Sequence, residues 1–148
     1  LTALLNFFII FSLFIIFLLF VNSLSLMQLI MMLPVIMCTL VLAAGLSIVL
    51  AVLNVFFRDV GQLFSIVLQF WFWFTPIVYP VQIIPDWARG FVELNPMAIT
   101  VNSMHDIFVR NVTPNWLQLS NVFLIGMALI LIGLFLFRRH AGDMVDEL

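Results

Sequence analysis

Four long stretches of this chain carry no charge at all: residues 1–21, 29–53, 63–81 and 116–137. A membrane-crossing helix needs roughly 20 mostly apolar residues, because about 1.5 Å of rise per residue must cover about 30 Å of hydrocarbon. Each charge at mid-bilayer costs about 2.5–3.5 kcal/mol on insertion scales, and every Arg, Asp and Glu of the sequence falls outside these stretches. The pattern predicts an all-α membrane protein with four transmembrane helices. Pro34 marks a point for a kink in the second, and Gln69 is the strongly polar side chain of the third.

Composition agrees. Of 148 residues 66% are hydrophobic and 8% charged, where a soluble domain carries about 25% charged residues. Such a chain cannot clothe itself in a polar shell, which excludes a soluble enzyme, a nucleic-acid binder and a disordered regulator. It starts inside an apolar run without an initiator methionine, so a portion of a longer protein is expected. That run is too long for a signal-peptide core and is followed by no small-residue cleavage site. The single cysteine, Cys38, sits in an apolar stretch and is expected to be a small buried apolar side chain.

The arginines set a topology. Loop 54–62 and tail 138–148 hold Arg58, Arg138 and Arg139, while loops 22–28 and 82–115 hold Arg89 and Arg110. The positive-inside rule then places loop 54–62 and the tail in the cytoplasm. Outside, residues 85–110 are too patterned for a linker. Pro85-Asp86 reads as a helix start, after which Trp87, Phe91 and Leu94 share a face opposite Arg89 and Glu93. Asn95-Pro96 reads as a second start, an N-cap with proline at the first helical position. Beyond it Met97, Val101, Met104 and Phe108 share one face. Asn102, Asp106 and Arg110 share another, with Asp106 and Arg110 in the favourable order for an ion pair. Two short amphipathic helices follow. On these residues alone a flat position at the interface is favoured over a re-entrant one, which is tolerated only where protein or a water-filled cavity satisfies the backbone.

Groups for catalysis are scarce. His105 and Asp106 are neighbours, so a helix points them about 100° apart, and His140 lies beside two arginines. No metal-ligand spacing and no phosphate-cradling glycine loop is present. The run Phe70-Trp71-Phe72-Trp73-Phe74, with Tyr79 beyond, is either an interfacial aromatic belt or a wall facing substrate. Five consecutive aromatics cover a whole helix circumference, so some must face protein or a lumen. Ala43, Ser47 and Ala51 recur every four residues, and Gly126 and Gly133 lie seven apart, a pattern that lets helices approach closely in lipid, within a subunit or between subunits. Loop residues Asn54, Phe56, Phe57, Arg58 and Asp59 suit a mere connector, with Arg58 snorkelling, as well as a docking surface of two apolar knobs and a charge pair.

The runs NVFFRDVGQL (from Asn54), QFWFWFTPIVYP (from Gln69), IIPDW and ELNPM, with the tail Met144 to Leu148, resemble the C-terminal portion of the permease subunit of ATP-binding-cassette exporters. Within that family the likeness is to the bacterial branch that exports O-antigen, capsule and teichoic acid chains. It covers the chain from Asn54 onward; before Asn54 the match is of hydropathy alone. The resemblance implies a multi-pass permease of the bacterial cytoplasmic membrane, with six spans of which these are the last four, all in one transmembrane domain. It implies a homodimer joined by two cytoplasmic ATPase subunits, so that ATP and Mg are bound by the partner and no cofactor or catalytic residue by this chain. Asn54, Phe56, Phe57, Arg58 and Asp59 would contact the ATPase. Phe70 to Phe74 and Tyr79 would line a conduit for a lipid-linked polysaccharide. Trp87, Phe91, Asn95, Pro96, Asp106 and Arg110 would belong to re-entrant gate helices, which reverses the preference for a flat arrangement. The alternatives are a permease for a small hydrophobic drug or lipid, a channel with no ATPase, and a membrane-embedded enzyme whose polar groups lie elsewhere.

Overall fold

The computed structural model describes residues 2–20, 25–57, 59–77, 85, 90, 92 and 94–146, and the side chains among them except those of 3, 4 and 141–146. The described residues form five principal helices and no strand: α1 (Thr2–Phe20), α2 (Leu26–Phe56), α3 (Val60–Phe74), α4 (Pro96–Phe108) and α5 (Trp116–Asp146). Gly90, Val92 and Leu94 are helical as well. The rest of the first short helix expected after Pro85, including Trp87 and Phe91, lies outside the described residues, as do Arg58 and Tyr79.

Among the described residues two helices, not four, are long and apolar enough to cross a membrane: Leu26–Phe56 and Trp116–His140. The other two expected spans appear as shorter apolar helices, Leu5–Phe20 within α1 and Val60–Phe74. For α3 the physical reason is local. Pro76 forces the residue before it out of the helical region, and Thr75 is extended (φ −96°, ψ 125°). The helix therefore stops after 15 residues, about 22 Å at 1.5 Å each. The span-length helices overrun their expected bounds. α5 continues without a break through Arg138 and Arg139 to Asp146, so most of the expected tail is helix.

α2 starts with a capping box. Ser25 Oγ accepts from the Gln28 N–H (3.2 Å) and Gln28 Oε1 accepts from the Ser25 N–H (2.9 Å), which satisfies donors that the first turn leaves free. The helix runs on through Pro34. Asn115 opens α5 in a similar way, its Oδ1 accepting from the N–H groups of Leu117 and Gln118.

The core lies where α2, α4 and α5 meet. Val35, Cys38 and Leu42 pack with Ile107, Leu119 and Val122, and the Cys38 thiol donates to the Leu119 carbonyl. Along α2 and α5 the backbones touch. A Cβ on Gly45 would lie 2.7 Å from the Gly126 carbonyl oxygen, and one on Gly126 would lie 2.8 Å from the Leu42 nitrogen. Gly133 packs instead on the Ile48 side chain, a Cβ there lying 2.7 Å from Ile48 Cγ2. Glycine is required at this seam because any side chain would push the helices apart. Ala43, Ser47 and Ala51 are exposed, so within this chain the small residues of α2 that recur every four are not the face packed on α5. Gly45 is.

α4 lies along α2 in the opposite direction. Its last turn reaches the Ser25 end of α2, where the Ile107 carbonyl accepts from Gln28. Its first turn sits beside Thr39, Leu42 and Leu46. The 14 residues from Gln28 to Leu42 correspond to about 21 Å of helix, so α4 starts partway along the bundle. α1 touches this unit through Phe14, whose ring meets Phe108 edge-on at 5.5 Å.

Candidate functional site

Three groups of residues converge where α3 ends and α4 begins. The C-terminal turn of α3 supplies Trp71; the break at Pro76 supplies Thr75; the cap of α4 supplies Asn95. The Trp71 Nε1–H donates to Asn95 Oδ1 (2.8 Å), and the Asn95 amide donates to Thr75 Oγ1 (3.1 Å). Thr75 in turn donates to the Trp71 carbonyl (2.8 Å), and Asn95 Oδ1 also accepts from the Met97 N–H (3.0 Å). One amide thus caps α4 and ties it to α3 among apolar side chains, where an unmade hydrogen bond would be costly.

Around this junction the aromatic run forms walls. Trp71 and Phe72, with Leu68, face Leu42, Ala43 and Leu46 of α2 across an apolar cleft of about 320 Å³. Trp71 also borders a second cleft of about 410 Å³, shared with Phe70 and Phe74 of its own helix and with Val92 and Asn95. Phe70, Trp73 and Phe74 are all largely exposed. Trp71 is thus the wall between two apolar spaces, fixed in place by its own N–H. Ala43 opens the first cleft because it is small, which gives the exposed stripe on α2 a place in the geometry.

A third apolar space of about 270 Å³ lies between α1, α2 and α4, with His105 at its edge. The amphipathic face expected for α4 is there, since Met97, Val101 and Met104 line this space. On the other side Asp106 and Arg110 form an ion pair at 2.6 Å, with Arg110 half exposed.

At the far end of α2 the loop residues are held from within. Asn54 Oδ1 accepts from the Gly61 N–H (3.1 Å), closing the turn between α2 and α3. Phe56 packs edge-on against His140 of α5, ring centroids 5.5 Å apart, and His140 donates from Nδ1 to the Leu136 carbonyl. Phe57 is 64% exposed and Asp59 is exposed. Of the five residues grouped in the sequence, the four described ones therefore divide: Asn54 and Phe56 are tied into the fold, while Phe57 and Asp59 present themselves outward.

Sequence reasoning missed Gln28. Its side chain is buried, and beyond the capping box it donates from Nε2 to the Ile107 carbonyl (3.1 Å) and to Asn111 Oδ1 (2.7 Å). The signal was present as Ser25-x-x-Gln28 before an apolar run, a capping-box pattern. That pattern predicts the cap but not the partners 79 and 83 residues away. Among the described residues, no three His, Cys, Asp or Glu side chains gather in a way that could hold a metal ion.

Residues 1–109 match the family described as ABC-2 type transporter. The family likeness therefore reaches back through α1 and α2, well before Asn54. Three relatives are named O-antigen export system permease protein RfbA. Two, from Klebsiella pneumoniae, are 32% and 30% identical over 99 residues, which is 67% of this chain and 38% of each relative. One from Myxococcus xanthus is 37% identical over 78 residues, 51% of this chain and 30% of the relative. The matched segment thus spans less than two fifths of these relatives.

Proposed function

This chain belongs to the ABC-2 type transporter family, and from that premise we propose that it is part of the membrane subunit of an ATP-driven exporter that moves a lipid-linked polysaccharide across the bacterial inner membrane. The permease works as a homodimer with two copies of a separate cytoplasmic ATPase, which binds ATP and Mg; this chain is a transport component and makes no covalent bond. The likeness to permeases named for O-antigen export supports the cargo class.

The observation that carries the reading is the pinned Trp71 between two apolar clefts. Aromatic faces stack on the apolar faces of sugar rings and tolerate a shift of register, so a repeating chain slides past without a deep energy well. α4 suits a re-entrant gate element. It starts partway along α2, and Asn95 satisfies its first turn where a bilayer offers no water. Loop 54–59 faces the cytoplasm, and its exposed Phe57 and Asp59, with Arg58, dock on the ATPase. Closure of the ATPase subunits on ATP then moves α2 and α3 together through the Asn54–Gly61 turn.

The test is co-purification followed by export. The full-length permease is expressed with its genomic neighbours, solubilised gently and examined for bound soluble subunits. A nucleotide-binding subunit at equal stoichiometry, together with loss of surface polysaccharide on deletion of the permease, is the expected result. A bound ATPase with unchanged surface polysaccharide would transfer the reading to a small hydrophobic drug or lipid as cargo. No bound ATPase in any mild detergent would overturn the exporter assignment.

A further inference from the structure

α2 and α5 run in parallel and keep the same step. A Cβ on Gly126 would lie 2.8 Å from the Leu42 nitrogen, and one on Gly133 would lie 3.2 Å from the Val49 nitrogen. Seven residues further along each helix, Phe56 meets His140 edge-on, ring centroids 5.5 Å apart. Seven residues make almost two turns, so Leu42, Val49 and Phe56 share a face and meet Gly126, Gly133 and His140 in order. Glycine supplies no side chain on the α5 side of the first two rungs; the third is a contact between two rings. It lies at the end of α2, directly before the exposed Phe57.

The surroundings of His140 hold it in that place. Its Nδ1–H donates to the Leu136 carbonyl one turn back (3.1 Å), which orients the ring. Phe56 is half-buried against it, whereas Arg138 and Arg139 are exposed. The turn after Phe56 is closed on itself. The Phe57 carbonyl accepts from the Val60 N–H (3.0 Å), and Asn54 Oδ1 accepts from the Gly61 N–H (3.1 Å). The direction in which Phe57 and Asp59 project is therefore set by how the last turn of α2 is held. Toward α3 that turn borders a cleft of about 360 Å³ lined by Ala51, Val60 and Phe64. Toward α5 it meets the His140 ring.

We propose that His140 is a positioning residue for the cytoplasmic loop: its ring holds Phe56, and with it the docking side chains Phe57 and Asp59, on the α2–α5 pair. The proposal rests on the exporter reading and adds α5 to the elements that the ATPase moves through the Asn54–Gly61 turn. While the ring contact holds, a displacement of the loop reaches α5 at the third rung and passes up the glycine seam. Without it, the last turn of α2 parts from α5 while the rungs above stay closed. The ATPase still binds, but its stroke is absorbed at the loose end.

The test uses the full-length permease with its ATPase and reads surface polysaccharide exported per ATP hydrolysed. A wild-type permease that retains no ATPase sinks the exporter reading and the loop role with it; the remaining outcomes bear on His140 alone. His140→Ala is expected to keep the ATPase bound and to lower export per ATP about twofold or more, as for loss of one aromatic pair. His140→Phe keeps the ring without the Nδ1 donor and should recover most of the loss. His140→Asn keeps a donor without the ring and should not. Phe56→Cys is then combined with His140→Cys in a background freed of cysteine, Cys38→Ala included. This pair should be as uncoupled as His140→Ala until a short bis-maleimide joins the two thiols, which should restore export per ATP. A wild-type ratio in His140→Ala overturns the proposal, as does a His140→Phe no better than His140→Ala. Thiols that do not cross-link, or a cross-link that restores nothing, overturn it as well. Should His140→Ala fail to reach the membrane, Phe56→Leu is read by the same criterion.

Discussion

Trp71 and Asn95 share a hydrogen bond of 2.8 Å that joins an aromatic wall to the cap of a helix 24 residues further along the chain. The same Asn95 oxygen caps α4 at the Met97 N–H, so one acceptor both holds the wall and caps the helix.

This shared oxygen predicts coupling. Asn95→Ala loses the cap and the tie to Trp71 and is expected to cost about 1–2 kcal/mol. Trp71→Phe keeps an aromatic wall, loses the N–H donor and is expected to cost about 1 kcal/mol. In the double variant the losses should fall short of their sum by roughly 0.5–1 kcal/mol, as expected for directly bonded residues. Thermal unfolding of the purified full-length permease measures this; strict additivity would show that the bond contributes nothing.

The glycine seam predicts an asymmetry on α2. Gly45→Ala places a Cβ within 2.8 Å of Leu129 Cβ and against the Gly126 carbonyl, and overpacking of this kind costs about 1–3 kcal/mol. Ala43→Leu adds more atoms on an exposed face and should leave stability within about 0.5 kcal/mol. It would, however, fill the cleft beside Trp71 and reduce export. Monodispersity on size exclusion and the melting midpoint separate the two classes; equal losses at both positions would refute the seam.

Phe57→Ala combined with Arg58→Ala should leave insertion and stability unchanged and uncouple ATP turnover from export. Phe57 is exposed, so its removal opens no cavity. ATPase rate and surface polysaccharide are measured together in cells expressing the double variant. Normal export at wild-type ATP cost would remove the docking role from this loop.

The Asp106–Arg110 pair is predicted to matter little for stability. It is an exposed i, i+4 pair, and such pairs contribute about 0.3–0.5 kcal/mol. Asp106→Asn should therefore lower the melting midpoint by no more than a degree or two, an effect that shrinks further in high salt. A large loss would mean that Asp106 has a second cationic partner in the full-length protein.

What the sequence determined by itself is local. Uncharged apolar runs specify helices in hydrocarbon, Asn95-Pro96 specifies where α4 starts, and i, i+4 spacing specifies the Asp106–Arg110 pair. Each follows from backbone geometry over one or two turns. The stop of α3 at Phe74 has a cause of the same local kind, Thr75-Pro76, but the uncharged run carried the expected span on to residue 81. The candidate site divides likewise: Phe70 to Phe74 were legible as an unusual cluster, while the pairing of Trp71 with Asn95 was not.

Only the tertiary structure decided which faces meet. α2 is apolar all round, so periodicity offers no polar face to orient it, and a stripe of small residues can face a partner or open space equally well. Within this chain the contact chose Gly45 over Ala43, Ser47 and Ala51 because Gly126 of α5 permits backbone approach beside it. Gln28 reads as a cap because its cap partners lie within one turn; its bonds to Ile107 and Asn111 need the antiparallel packing of α4 on α2. Chain-local forces choose the helices, and long-range close packing chooses their neighbours.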